Sequence, residues 1–376
     1  MITSFDDYCI HQTTAPVARP AQSDRNFYDR YWMNGIDPEG GYIFEAGLGL
    51  YPNRHVMDAH FSIADGTRQH AFHGSRRAPR ERGETAVGPF TIEILEPMRR
   101  MRLSLAANDT GIECDLVFTA ASVPHEEPES VMYDDGHLIM HTCRFTQMGY
   151  WEGYFSVDGR RVEVARAVGT RDKSWGVRPV GEPQGGAPGT LTKEPGVYWC
   201  WNPINFGDVC TQMGTFEDRD GHPTQVSADL MPLYDDPAAI PAGDDPGHIP
   251  MVEVAHQIQW QPGTRRPQSA RLMLADRDGN RYDVDMEVGL RFQVLGLGYN
   301  HPSWGHAVWH GELETAREDW VLAELDPLGF EYLHVHHVVH ARMGERSGIG
   351  TLENIAIGRH DPSGFKELFD GAPAAE

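Results

Sequence analysis

The sequence predicts an all-β protein of two antiparallel β-barrel or sandwich domains with few short helices. Three observations predict it. Asp-Gly pairs recur at 65–66, 135–136, 158–159, 220–221 and 278–279, each between apolar or alternating segments, and Asp-Gly suits the positive φ angles of type I′ hairpin turns. Segment 155–164 (Phe-Ser-Val-Asp-Gly-Arg-Arg-Val-Glu-Val) reads as two short strands around one such turn. Stretches with a 3.6-residue period are few, and the best helix candidates, 314–325 and 363–369, are too short to build a helical layer.

The elements follow in order along 376 residues, more than one average domain needs. Residues 1–175 form an N-terminal β-domain. Residues 176–196 hold Pro179, Pro183, Pro188 and Pro195 among glycines and read as a linker. Residues 197–370 form a C-terminal β-domain, and 371–376 a disordered tail. Inside the second domain, 231–250 is acidic and proline-punctuated (Asp235-Asp236-Pro237, Asp244-Asp245-Pro246), which suits an exposed loop at a pocket mouth. Residues 61–68 and 272–281 share one strand-turn order, in line with two similar domains. A barrel of about eight strands leaves room for one small apolar ligand, so chemistry would come from the few polar side chains that point at it.

Composition excludes several classes. With 32 basic and 55 acidic residues the net charge is −23, which repels the phosphate backbone, so no nucleic-acid partner is expected. No apolar run approaches the roughly 18 residues of a membrane span, and the N-terminus lacks the basic and apolar regions of a signal peptide. The expected location is cytoplasmic. The five cysteines, at 9, 114, 143, 200 and 210, show no CxxC spacing, so neither a disulfide framework nor a zinc knuckle is indicated. The nucleophile elbow, the Walker loop and the Rossmann glycine fingerprint are all missing, which argues against serine hydrolases, nucleotide hydrolases and dehydrogenases.

The densest motif is Gly169-Thr-Arg171-Asp172-Lys173-Ser174-Trp175-Gly176, which follows a strand and precedes the mid-chain linker. It resembles the Asp-His-x-Trp-Gly signature of the lipocalin-like, two-β-domain family that includes carotenoid 1,2-hydratases and AttH-like proteins, with fungal kievitone hydratase a more distant comparison. Segments 42–53 and 348–353 are similar to the first and last strands of uncharacterised bacterial relatives. Lys173 stands where the signature has histidine, so that histidine's role does not carry over. The resemblance implies two lipocalin-like domains, no cofactor, and an apolar isoprenoid or polyketide-like substrate. The implied chemistry is addition of water, or rearrangement and cyclisation of double bonds.

Protonating an isolated alkene requires a dry acid, and a carboxyl among apolar side chains keeps its proton near neutral pH. Asp172 is the first candidate for a general acid, with Trp175 offering a π face to a developing cation. The structural alternative is an ion pair, because Arg171, Asp172 and Lys173 alternate in charge; in the functional reading Arg171 and Lys173 belong to the substrate site. The strand 196–202 places Tyr198, Cys200 and Asn202 on one face and Trp199 and Trp201 on the other. Tyr198 is a candidate proton donor that holds a water with Asn202 and Asn205, and the two tryptophans are candidate pocket walls; core packing is the alternative for all of them. Tyr150, Glu152 and Tyr154 share a face that reads as an ordinary exposed strand.

Histidines concentrate late in the chain. Alternation puts Tyr332, His334, His336 and His340 on one side of a strand. His336 is a candidate base, and His334 with His336 can chelate a metal if His306 or His310 supplies a third ligand; the half-exposed strand is the alternative, and no metal is expected. Asp58 and His60 share a strand face as neighbours that can orient a water. Arg76, Arg77, Arg80 and Arg82 lie in a loop able to hold an anionic substrate tail. Taken with these candidate residues, the resemblance implies a cofactor-independent hydro-lyase or isomerase/cyclase for an apolar terpenoid, steroid-like or polyphenolic substrate. The alternative is a non-catalytic carrier of a lipophilic molecule; a homodimer is compatible with either.

Overall fold

The computed structural model describes residues 2–180 and 196–374. Segment 181–195, the larger part of the expected linker, and residues 375–376 of the expected tail lie outside the described residues. The chain is all-β. Eleven strands come first: β1 (Phe27–Ile36), β2 (Ile43–Tyr51), β3 (Val56–Ala64), β4 (Arg68–Arg77), β5 (Ala86–Val87), β6 (Phe90–Glu96), β7 (Arg100–Leu105), β8 (Ile112–Ala120), β9 (His125–Asp134), β10 (His137–Val157) and β11 (Arg160–Val177). Nine follow: β12 (Val197–Asn205), β13 (Val209–Glu217), β14 (Pro223–Pro232), β15 (Ile249–Trp260), β16 (Pro267–Asp276), β17 (Arg281–Gln293), β18 (Leu313–Val321), β19 (His334–Met343) and β20 (Arg346–Ile357). No helix among the described residues is long and apolar enough to cross a membrane.

The five Asp-Gly pairs named above sit in links between consecutive antiparallel strands. At 135–136 and 158–159 both residues have positive φ, the backbone that type I′ hairpins demand. The first sheet has twelve strands in the order β18-β4-β3-β2-β1-β11-β10-β8-β7-β6-β5, with β9 paired to β10, and curls into a nearly closed barrel. The second is a closed barrel of β12, β13, β14, β15, β16, β17, β19 and β20. Each is filled by its inward-facing row: Phe44, Phe61, Phe72, Phe118 and Trp151 in the first, and Tyr198, Cys200, Leu272, Val284 and Leu352 in the second.

A third core lies between the two. Trp32, Ile36, Ile43 and Val168 from the outer face of the first sheet meet Trp199, Trp201, Phe292, Val338 and Ile349 from the outer face of the closed barrel. Strand alternation thus leaves both faces of β12 buried, one in the barrel and one in this junction.

Both helix expectations are corrected. Segment 314–325 is mostly β18, which pairs along its length with β4. Residues from the C-terminal half therefore complete the first sheet. Segment 363–369 is irregular: Gly364, at φ +76°, ends a 3-10 turn over Asp361–Ser363 and lets Phe365 plug the barrel. Loop 233–248 reaches across the junction, where Ile240 packs in the first sheet's core and its carbonyl accepts from Arg99. Ala372, in the segment expected to be a disordered tail, is buried, and its backbone pairs with Gly263 and Thr264.

Candidate active site

Two cross-strand rows meet in the junction. In the first sheet Trp32 of β1 lies directly opposite Asp172 of β11, which in turn faces Thr146 of β10. In the barrel, Glu353 of β20 is the register partner of both Trp201 on β12 and His336 on β19. Apart from Thr146, these residues line a small, partly open cavity of about 30 Å³ together with Arg144 and Tyr299, room for roughly one or two waters.

Asp172 looks into this cavity with its side chain 12% exposed. Its Oδ1 is buried and has no hydrogen-bond partner among the described residues. The nearest cation, Arg144, stands 3.8 Å from Oδ2 but lies 2.9 Å from Glu127. Glu127 also accepts from Thr146, Gln212 and Trp201, so the guanidinium is held on that carboxylate. Burial raises the Asp172 carboxyl to about 7; Arg144 opposes the rise only in part, and Glu127 adds to it.

Across the cavity, His336 lies between two carboxylates. Its Nδ1 is 2.7 Å from Glu45 Oε1, and its Nε2 is 3.4 Å from Glu353 Oε1. Burial alone would lower its pKa, yet Glu45 and Glu353 outweigh burial and hold it at about 10. Both nitrogens are then protonated, and Nδ1 donates to Glu45. Burial tends to raise Glu353, but His336 and His334 keep it well below the carboxylate range. Glu45 is shifted upward by burial, with His336 opposing, and also accepts from the Trp32 indole N–H. His334 Nε2, 2.6 Å from Glu353, extends the chain, and Tyr299 stands edge-on to its ring. The indoles of Trp32 and Trp201 meet in a T at 5.4 Å. Chemically, the site offers a near-neutral carboxylic acid, a buried imidazolium and two indole faces around a water-sized space.

A family model described as a family of unknown function (DUF8625) matches residues 2–366. The chain belongs to that family. No curated protein matches it in sequence. Among solved structures, a candidate AttH protein of Nitrosomonas europaea is similar with a TM-score of 0.52 and 12% identity, over 88% of this chain and 92% of that one. CghA crystallised with Sch210972 gives 0.48 and 11%, over 88% and 89%; CghA alone gives 0.47 and 10%, over 89% and 90%. The first likeness is one of fold, and it makes the fold of this DUF8625 chain AttH-like.

Of the residues singled out in the sequence, Asp172, His336 and Trp201 come together at the cavity. Trp199 lies in the same junction, between Phe216 and the Arg144 guanidinium. The others lie elsewhere. Tyr198 is inside the closed barrel, stacked on His360 at 3.8 Å, because β12 alternation turns it away from the two tryptophans. Asn202 donates to the Thr351 carbonyl and Asn205 to Tyr150. Arg171, Lys173 and Trp175 sit on the face of β11 opposite Asp172: Arg171 donates to Gln147 inside the first sheet, Lys173 pairs with Asp29, and Trp175 is 38% exposed.

Neither proposed third metal ligand reaches His334 and His336. His306 Nε2 bonds the Leu297 carbonyl, and His310 stacks on Trp304; the group beside both histidines is Glu353. Asp58 and His60 are both buried and 3.8 Å apart. Arg76, Arg77 and Arg82 pair with Glu84, Glu312 and Asp29.

Sequence reasoning missed Glu45, Glu353, Arg144, Trp32 and Tyr299. Glu45 and Glu353 carried a signal: each is a lone carboxylate in an otherwise apolar strand (Ile43-Phe-Glu45-Ala-Gly-Leu; Ile349-Gly-Thr-Leu-Glu353), a cost that only a buried partner offsets.

Proposed function

We propose that the chain is a cofactor-independent enzyme acting on a double bond of an apolar terpenoid, steroid-like or polyphenolic substrate, as a hydratase/dehydratase or an isomerase/cyclase. The observation that carries this reading is the Asp172 carboxyl: its Oδ1 is buried and without a hydrogen bond among the described residues, burial raises its pKa to about 7, and it faces a cavity walled by indoles.

The neutral acid gives its proton to one alkene carbon, and a C–H bond forms as the π bond breaks. The resulting carboxylate is stabilised by Arg144, and the cation by the faces of Trp32 and Trp201. Water then adds to the cation in a hydration, or a neighbouring C–H gives up its proton in an isomerisation. Either step returns one proton to Asp172. His336, fixed between Glu45 and Glu353, orients the water. At about 30 Å³ the cavity is too small for an alkene, so in this reading the substrate enters as the two barrel faces part.

A carrier reading is favoured by a different place. A pocket of about 480 Å³ at one end of the first sheet has an apolar wall of Tyr42, Ile63, Phe155, Val157 and Val162 and a polar rim of Asp65, His70, Asp158 and Arg160, a volume and lining that suit a small, mostly apolar ligand with a polar end.

The discriminating experiment incubates the chain with prenylated and polycyclic alkenes in heavy water. Turnover with deuterium at carbon is expected, falling at least about 100-fold in Asp172→Asn with an unchanged circular dichroism spectrum. Retained turnover in the purified variant overturns the acid role; binding without exchange in the wild type leaves the carrier.

A further inference from the structure

Away from the cavity, three side chains from both halves of the chain converge. His125 opens β9 of the first sheet, Asp229 lies on β14 of the barrel, and His248 precedes β15. His248 Nε2 is 2.7 Å from one Asp229 oxygen, and His125 Nε2 is 3.1 Å from the other. One ligand atom from each residue lies within 4.8 Å of the other two. His125 is 8% exposed and Asp229 5%, while the His248 side chain, at 28%, gives access from solvent.

The His125 Nε2 atom is buried and has no hydrogen-bond partner among the described residues. It stands 3.1 Å from a carboxylate oxygen, close to the spacing of two ligands on one ion: tetrahedral zinc with bonds of about 2.0–2.2 Å holds its donor atoms roughly 3.3 Å apart.

The position also matters. The β14–β15 ladder pairs only Asp229 with Pro250 and Leu230 with Ile249, whereas the adjoining β13–β14 and β15–β16 ladders run the length of their strands. This is the thinnest seam of the closed barrel, and Asp229 is on it.

Two other His-carboxylate clusters also leave one buried imidazole Nε2 without a hydrogen bond among the described residues, on His73 and on His336, but their strands β4 and β19 are paired along their lengths rather than lying on a weak seam. In His73–His301–Glu318, His301 Nδ1 accepts the backbone N–H groups of Ser303 and Trp304, so its proton sits on Nε2 and is given to Glu318. In the cavity, His336 has a carboxylate beside each ring nitrogen.

We propose that His125, Asp229 and His248 form a binding site for a divalent transition cation of the zinc class. Two imidazoles and a carboxylate are the donors such ions take, and water completes the shell. The ion joins the first sheet to the weak seam of the barrel.

The test titrates zinc and cobalt(II) into the full-length chain after treatment with a chelator. One equivalent should bind, cobalt should give the visible absorption of a low-coordinate site, and zinc should raise the thermal midpoint until chelator reverses it. His248→Gln, at a partly exposed position, should fold normally and bind at least about tenfold more weakly. His336→Gln should bind as the wild type does. A wild-type chain with no saturable cobalt spectrum, unchanged affinity in His248→Gln, or affinity lost in His336→Gln each overturns the proposal.

Discussion

Asp172 is held in a protonation state that the folded chain favours and the unfolded chain does not. Its pKa rises from 3.8 to about 7 on folding, so between these values the native state binds the extra proton. Stability from this group is greatest below pH 3.8, is lost as pH rises through about 7, and then levels off. Asp172→Asn keeps the shape and removes the charge. The variant is therefore expected to be more stable than wild type at pH 8, with the gap closing towards pH 4; urea midpoints at the two pH values measure it. A more stable but inactive variant is what an acid held against its solvation preference predicts. Asp172 was legible in the sequence because it stands in a dense local motif. Glu45, Arg144 and Glu353 were not, because their roles come from partners 291, 17 and 19 positions away.

At the scale of single elements, turn chemistry was the most legible feature, since Asp-Gly fixes its own backbone locally. Strand β18 was the least. Segment 314–325, most of it β18, carries apolar side chains at near-helical intervals, and β18 lies half-exposed along β4, so neither the alternation nor the burial of a central strand marks it. The motif glycine has an element-level explanation. Gly176 sits at φ +132° where β11 faces β10, and a Cβ there would lie 2.1 Å from the His141 carbonyl oxygen. Gly176→Ala is expected to cost at least about 1–3 kcal/mol, read as a lower urea midpoint with an unchanged slope. A variant as stable as wild type would mean the strands part there at no cost.

For the molecule as a whole, the junction core and the strand exchange make the halves interdependent. Trp32, Ile36, Ile43 and Val168 are covered by the closed barrel, and each large apolar side chain contributes on the order of 1.5–3 kcal/mol when buried. The full chain is expected to unfold in one calorimetric transition. Residues 1–180 expressed alone would leave those side chains in water and β4 without its β18 neighbour, and are expected to aggregate; two separate transitions, or a monomeric fragment with native circular dichroism, would show that the halves stand independently. Size and turn spacing made two β-units legible, but the junction was not, because the residues of β12 that face it look like an ordinary aromatic strand. The excursion between β17 and β19 has a consequence for inheritance. Since the chain leaves the second barrel to finish the first and then returns, no single recombination point separates two complete modules. A crossover between 180 and 196 would give a descendant whose leading sheet lacks an edge and whose trailing barrel carries a strand with nothing to pair against, so the halves are expected to pass between genomes together.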